Sequence, residues 1–205
     1  MAKSDELESL INQGRKHGVR KRAILLAAAR LFVERGYVDT GIDDIGAAAG
    51  ISGPAVYRHF PGKQAILLAL VELSVERLRE GTQAILADRE RDPRESLSAL
   101  VDWFARSSVE NPDLNLILQG ELLGLPVGDQ RRLTRQIRQV REEWVGLLLE
   151  ARPELSDLAA RIAVTSVMGM VTPVLAARLS GDVRTLSVHL KAQMLAVLHV
   201  RIEEG

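Results

Sequence analysis

Tyr57, Arg58, His59 and Lys63 stand within the short run V-Y-R-H-F-P-G-K, and each can donate hydrogen bonds. Such donors suit recognition of phosphates or base edges. Motifs for catalysis are missing. Histidines at 17, 59, 189 and 199 lack metal-ligand spacing, and there is no phosphate-binding glycine loop, G-x-S-x-G or H-E-x-x-H. Carboxylates are dispersed over charged helix faces, where solvation is their ordinary role. Without cysteine there is neither a disulfide framework nor a thiolate metal site. Neither an enzyme nor a cofactor is expected.

Two short helices must position these donors. Thr40 can cap the first through its hydroxyl, with Asp43 and Asp44 near the positive end of its dipole. Ile45 and Ala49 mark its inner face, Gly46 allows close approach, and Gly50 suits a left-handed stop. Ser52 can cap the second helix, Gly53 to Phe60, which tolerates Pro54 in its first turn and points Val56 and Phe60 inward. This is a helix-turn-helix, a motif that in DNA-binding proteins seats its second helix in the major groove. Pro54 and Ala55 have no polar groups, so any base reading by them is contact with thymine methyls. Arg58 is the one long donor on the outer face, suited equally to guanine or a phosphate.

The order Thr40, Ile42, Ile45, Ala49-Gly50-Ile51-Ser52, Val56-Tyr57-Arg58-His59-Phe60 and Lys63 resembles the N-terminal domain of the TetR family of bacterial transcriptional regulators. In motif the resemblance covers roughly Val19 to Leu70. It implies an all-α homodimer with a three-helix DNA-binding domain and a larger domain of about six helices that binds a small molecule. It also implies phosphate contacts from Thr40, Tyr57, His59 and Lys63. One departure is Gly53-Pro54-Ala55, where many members carry a long polar side chain.

Charge is partitioned accordingly. From Gln13 to Lys63 nine lysines and arginines face four acids, a net of +5, while the whole chain is neutral. Arg15, Lys16, Arg20, Lys21 and Arg22 gather where phosphates would lie. The expected organisation is a flexible tail over 1–14, the DNA-binding domain over 15–62, and a ligand-binding and dimerisation domain over 63–205. A helical binding or dimerisation module without DNA activity is the alternative, and the complete Tyr57-Arg58-His59 run counts against it.

Helical periodicity predicts helices over Val19 to Gly36 and from Lys63 to about Asp88. Others are expected over Pro93 to Glu110, from Asn111-Pro112 to near Gly124, and over Asp129 to Arg152. Ile24, Ala28, Leu31 and Phe32 should face inward on the first. Ser156 and Thr185 are capping candidates for two last helices, Leu158 to Leu179 and Leu186 to Ile202. Both are apolar enough to pair with a twin in a four-helix bundle. No apolar run approaches the roughly 18 residues that span a bilayer, and the acidic start is no signal peptide. A cytoplasmic protein with no membrane partner is expected.

Isolated polar or aromatic groups in aliphatic helices sketch a pocket wall: Trp103, Ser107, Gln119, Leu122, Trp144, Ser166, Met170 and Thr172, with Glu121, Thr165 and Met168 nearby. Pro173 should kink its helix and free the carbonyl of Gly169. With aromatic residues at only 3%, this lining suits a lipophilic chain better than a flat cation or a sugar. The expected partners are thus an operator duplex, a small lipophilic ligand and a second copy of the chain.

Overall fold

A computed structural model describes residues 18–177, 179 and 181–198, and every regular element among them is helical. The tail over 1–14, with Arg15, Lys16, His17, His199 and Ile202, lies outside the described residues. The chain divides into two compact units, Met1–Ser74 with Glu110–Arg131, and Val75–Val109 with Arg132–Gly205. This division differs from the expected domain boundary between 62 and 63.

The first unit opens with α1, Val19–Arg35, whose Ile24, Ala28, Leu31 and Phe32 are all buried as the periodicity predicts. Leu25, Ala27 and Ala29 are buried too, because α1 packs against two neighbours, α2 (Ile42–Ala48) and α6 (Pro112–Glu121). Gly36 ends α1 with φ +86°, and its N–H donates to the Phe32 carbonyl at 3.0 Å. Helix α3 is shorter than expected, Gly53–Val56 only. Beyond it the N–H groups of Arg58 and His59 bond three residues back, to Ala55 and Val56. The Phe60 N–H then bonds four residues back, to the Val56 carbonyl at 3.0 Å, before Pro61 breaks the chain. Helix α4, Lys63–Leu86, buries Ile66, Leu67 and Leu70 in this unit. The Ser74 hydroxyl lies within reach of the Leu70 and Leu114 carbonyls (2.9 and 3.2 Å), which ties α4 to α6. A 3₁₀ turn, Leu122–Gly124, follows α6, and Gln130 Nε2 donates to the carbonyls of Leu123 and Leu125.

In the second unit α5 (Pro93–Glu110) and α7 (Val127–Ala151) pack around Trp144, whose side chain is 0% exposed. Its ring meets Phe104 edge-on with centroids 5.3 Å apart, and its Nε1 donates to the Thr82 hydroxyl at 3.1 Å. Gly81 has a packing reason inside α4: a Cβ there would fall 1.9 Å from the Trp103 ring. Helix α8, Asp157–Gly169, starts as expected from Ser156, whose hydroxyl accepts the Ala159 N–H at 3.2 Å. Arg161 fastens α8 to α7 by donating to both carboxylate oxygens of Glu142 and to Asp157. Its hydrogen bond holds Glu142 below the ordinary carboxylate range.

A break at Met170 separates α8 from α9, Val171–Ala176, where Pro173 cannot donate to Gly169. Gly169 and Pro173 are both exposed in the chain. Helix α10 spans Val183–Leu198. Its cap is Asp182, not Thr185: Asp182 Oδ1 accepts the Thr185 N–H at 2.7 Å, so the helix begins one turn earlier than expected. One further expectation needs correcting. The helical stretch Asp157–Ala176 is long and apolar enough to cross a membrane by length and composition alone.

Candidate nucleic-acid interface

The hairpin of α2 and α3 closes on glycine. A Cβ on Gly46 would lie 3.0 Å from both the Gly53 nitrogen and the Ile51 oxygen, so the two segments touch backbone to backbone. Gly50 turns the chain at φ +70°, and the Ile51 N–H returns to the Gly46 carbonyl at 2.9 Å. Gly53 is buried against Asp43, whose carboxylate oxygen occupies the place of a Cβ. Gly46→Val must therefore push backbone, not a yielding side chain. It is expected to cost about 1–3 kcal/mol in a urea titration. An unchanged midpoint would mean that the hairpin is looser than this geometry.

Outward from that hairpin, Tyr57 is 57% exposed despite its ring, and Pro54 and Arg58 are exposed beside it. Ala55 and His59 are half-buried. Ser52 occupies the N-cap position of α3 with extended backbone, but its exposed hydroxyl makes no capping bond. Ser52 thus stands at the start of this short helix, and the expected donors Tyr57, Arg58 and His59 follow its end. Arg20 adds exposed charge from α1, and Lys21 lies 5.5 Å over the Phe60 ring.

Two of the residues expected at phosphates turn inward. Thr40 is 1% exposed, and its hydroxyl donates to the Gly36 carbonyl at 2.7 Å. Gly41, not Thr40, is the N-cap of α2, and Asp44 Oδ2 accepts the Gly41 N–H at 2.9 Å. The capping expectation falls to that internal bond, which also engages the Thr40 hydroxyl proton within the chain. Lys63 Nζ donates to the carbonyls of Tyr37, Val38 and Thr40 at 2.6, 3.1 and 2.7 Å. It also lies 4.5 Å from the centre of the Tyr37 ring, which meets Phe32 edge-on. Burial first, and the charge of Glu121 second, push the Tyr37 hydroxyl above its ordinary value.

The residues sketched as a pocket wall are divided between the two units. Gln119 and Leu122 belong to the first unit, the first exposed and the second half-buried. Trp103, Ser107, Trp144, Ser166, Met170 and Thr172 belong to the second. There Trp144 is engaged by Thr82, and buried Ser107 accepts a bond from Arg77 Nε at 2.8 Å. Trp103 lies half-buried on Gly81, Met170 and Thr172 are half-buried, and Ser166 is exposed. Arg77 and Thr82 were not foreseen. Gly81 inside a helix was the one available signal, since such a glycine usually has a packing reason.

Residues 24–70 match the family described as bacterial regulatory proteins, tetR family. The transcriptional activator FasR of Mycolicibacterium smegmatis is 38% identical over 153 residues, covering 74% of this chain and 67% of FasR. A TetR-family regulator from Bordetella parapertussis superposes with a TM-score of 0.77 at 22% identity, covering 87% of this chain and 95% of its own. The ketosteroid transcriptional regulator KstR2 of Mycobacterium tuberculosis gives 0.76 at 21% identity, covering 90% and 95%.

Proposed function

The chain belongs to the TetR family of bacterial transcriptional regulators, and on that premise we propose that it binds a pseudo-palindromic operator as a homodimer and responds to a lipophilic small molecule. The observation that carries this is the exposed Pro54 on α3, with exposed Tyr57 and Arg58 just past its end, in a hairpin packed tightly at Gly46. An aromatic ring and an arginine left in water beside an apolar proline match what a major groove offers: phosphates, thymine methyls and guanine acceptors. Tyr57 and His59 would hold phosphates, Pro54 and Ala55 would meet methyls, and Ser52 would approach the backbone. Such a regulator acts on DNA, in the cytoplasm.

Dimerisation is supported by Leu158 and Ile162, which are 68% and 58% exposed on α8, and by exposed Val188 on α10. Pairing of these faces about a two-fold axis would present two recognition helices about 34–36 Å apart, on successive major grooves. Repression follows where the operator overlaps a promoter. FasR is named an activator, and the same surface activates where the operator lies upstream. For the ligand, the aliphatic second unit with few polar handles favours a lipophilic molecule, and a ketosteroid regulator shares the fold. Native mass spectrometry of protein from cells should find a bound lipid-like mass.

Selection from a random duplex pool tests the DNA reading. An inverted repeat should be enriched, and Arg58→Ala should relax specificity at one position per half-site if Arg58 reads a base. Equal losses on operator and random DNA would assign it to a phosphate. No enrichment at all would leave a helical binding or dimerisation module.

A further inference from the structure

We infer that Lys63, seated on Tyr37, is a positioning residue that clasps the base of the DNA-binding hairpin and not a ligand of phosphate. An ammonium group has three N–H donors. Here the carbonyls of Tyr37, Val38 and Thr40 lie at 2.6, 3.1 and 2.7 Å, so all three donors have partners within the chain. The same ammonium lies 4.5 Å from the centre of the electron-rich Tyr37 ring. A phosphate could take this charge only by stripping away one of those bonds.

The position of the clasp in the chain gives it a function. Thr40 is the residue before the α2 cap, and Lys63 is the first residue of α4, just past the end of the recognition segment. One side chain therefore holds the entry of the helix-turn-helix to its exit. Thr40 is held again from its other side, by its hydroxyl on Gly36. Within the same unit Tyr37 feels the negative charge of Glu121, the last residue of α6. Loss of the clasp should free the angle at which α3 leaves the hairpin, while the exposed donors Tyr57 and Arg58 stay in place. Operator affinity should fall and general attraction to DNA should not.

This inference rests on the DNA-binding reading, and the test separates the two. Operator and random-duplex affinities of the full chain are measured across salt for the native protein, Lys63→Met and Lys63→Arg. Arginine keeps the charge, but its planar fork cannot meet three converging carbonyls as an ammonium does. Positioning predicts that K63M loses operator affinity tenfold or more, with random DNA bound within twofold. It further predicts an unchanged salt slope and no rescue by K63R. A phosphate ligand predicts equal losses on both duplexes in K63M, a slope smaller by about 0.9, and native affinity in K63R. The native protein supplies a check independent of variant folding. Lys63 should resist acetylation before DNA is added, relative to an N-acetyl-lysine amide standard. Modification as fast as that standard, with protection only by DNA, would overturn the inference. A native protein that selects no operator would instead refute the DNA-binding reading.

Discussion

Ile162→Asp is expected to split the dimer and, with it, to abolish tight operator binding. Ile162 lies one turn beyond Leu158 on the outer side of α8, so the two form a continuous apolar strip in the isolated chain. Covering the exposed part of one isoleucine contributes about 1–2 kcal/mol, and a two-fold interface counts every residue twice. Aspartate removes that contribution and also brings an unpaired carboxylate into an apolar seam, at several kcal/mol more. Since about 1.4 kcal/mol is tenfold in affinity, the dissociation constant should rise a thousandfold or more. Sedimentation equilibrium at micromolar concentration should then report a monomer. Val38→Asp is the control for sedimentation, because Val38 is 84% exposed against 58% for Ile162 but lies in the loop between α1 and α2. Should Ile162→Asp sediment as a dimer, pairing uses a different face.

Trp144→Ala should cause the largest loss of stability that a single side chain can. The ring is fully buried, and it reaches both Phe104 on α5 and Thr82 on α4 within the second unit. Truncation of a buried tryptophan costs about 3–5 kcal/mol through lost transfer free energy and the cavity left behind. The Thr82 hydroxyl also loses its partner, at about 1–3 kcal/mol if no water replaces it. Trp144→Phe keeps an aromatic edge for Phe104 but not the Nε1 donor, so it should fall between alanine and the native protein. Urea midpoints for the series would show the order. An alanine variant within about 1 kcal/mol of native would remove Trp144 from the core.

Local features of the fold were legible where one residue type has one economical use. Ile24, Ala28, Leu31 and Phe32 repeat at helical steps and are buried, and Gly50 adopts the left-handed turn that its place after a helix suggests. Gly46 permits the close approach expected of it. Legibility ended where a side chain has two uses. A threonine ahead of a helix can cap it or hold the end of the previous helix, and Thr40 does the second. A lysine opening a helix can face water or curl back, and Lys63 finds carbonyls some two dozen positions earlier, a contact that local pattern cannot encode. The pattern from Asn111-Pro112 to near Gly124 announced a helix, not that its partner is α1. Two residues of the pocket sketch have internal partners that local pattern does not announce. Ser107 and Trp144 have polar handles that suggest a ligand, but Arg77 and Thr82 satisfy those handles internally.

Binding of the intact chain to the selected inverted repeat, compared with a duplex in which one half-site is scrambled, tests the central claim most directly. Two recognition helices on one two-fold axis require both halves together. The account predicts two chains, or a multiple of two, on each intact repeat by sedimentation. It also predicts an affinity at least a hundredfold weaker on the half-scrambled duplex. Equal affinity for the two duplexes, or one chain per intact repeat, would contradict it.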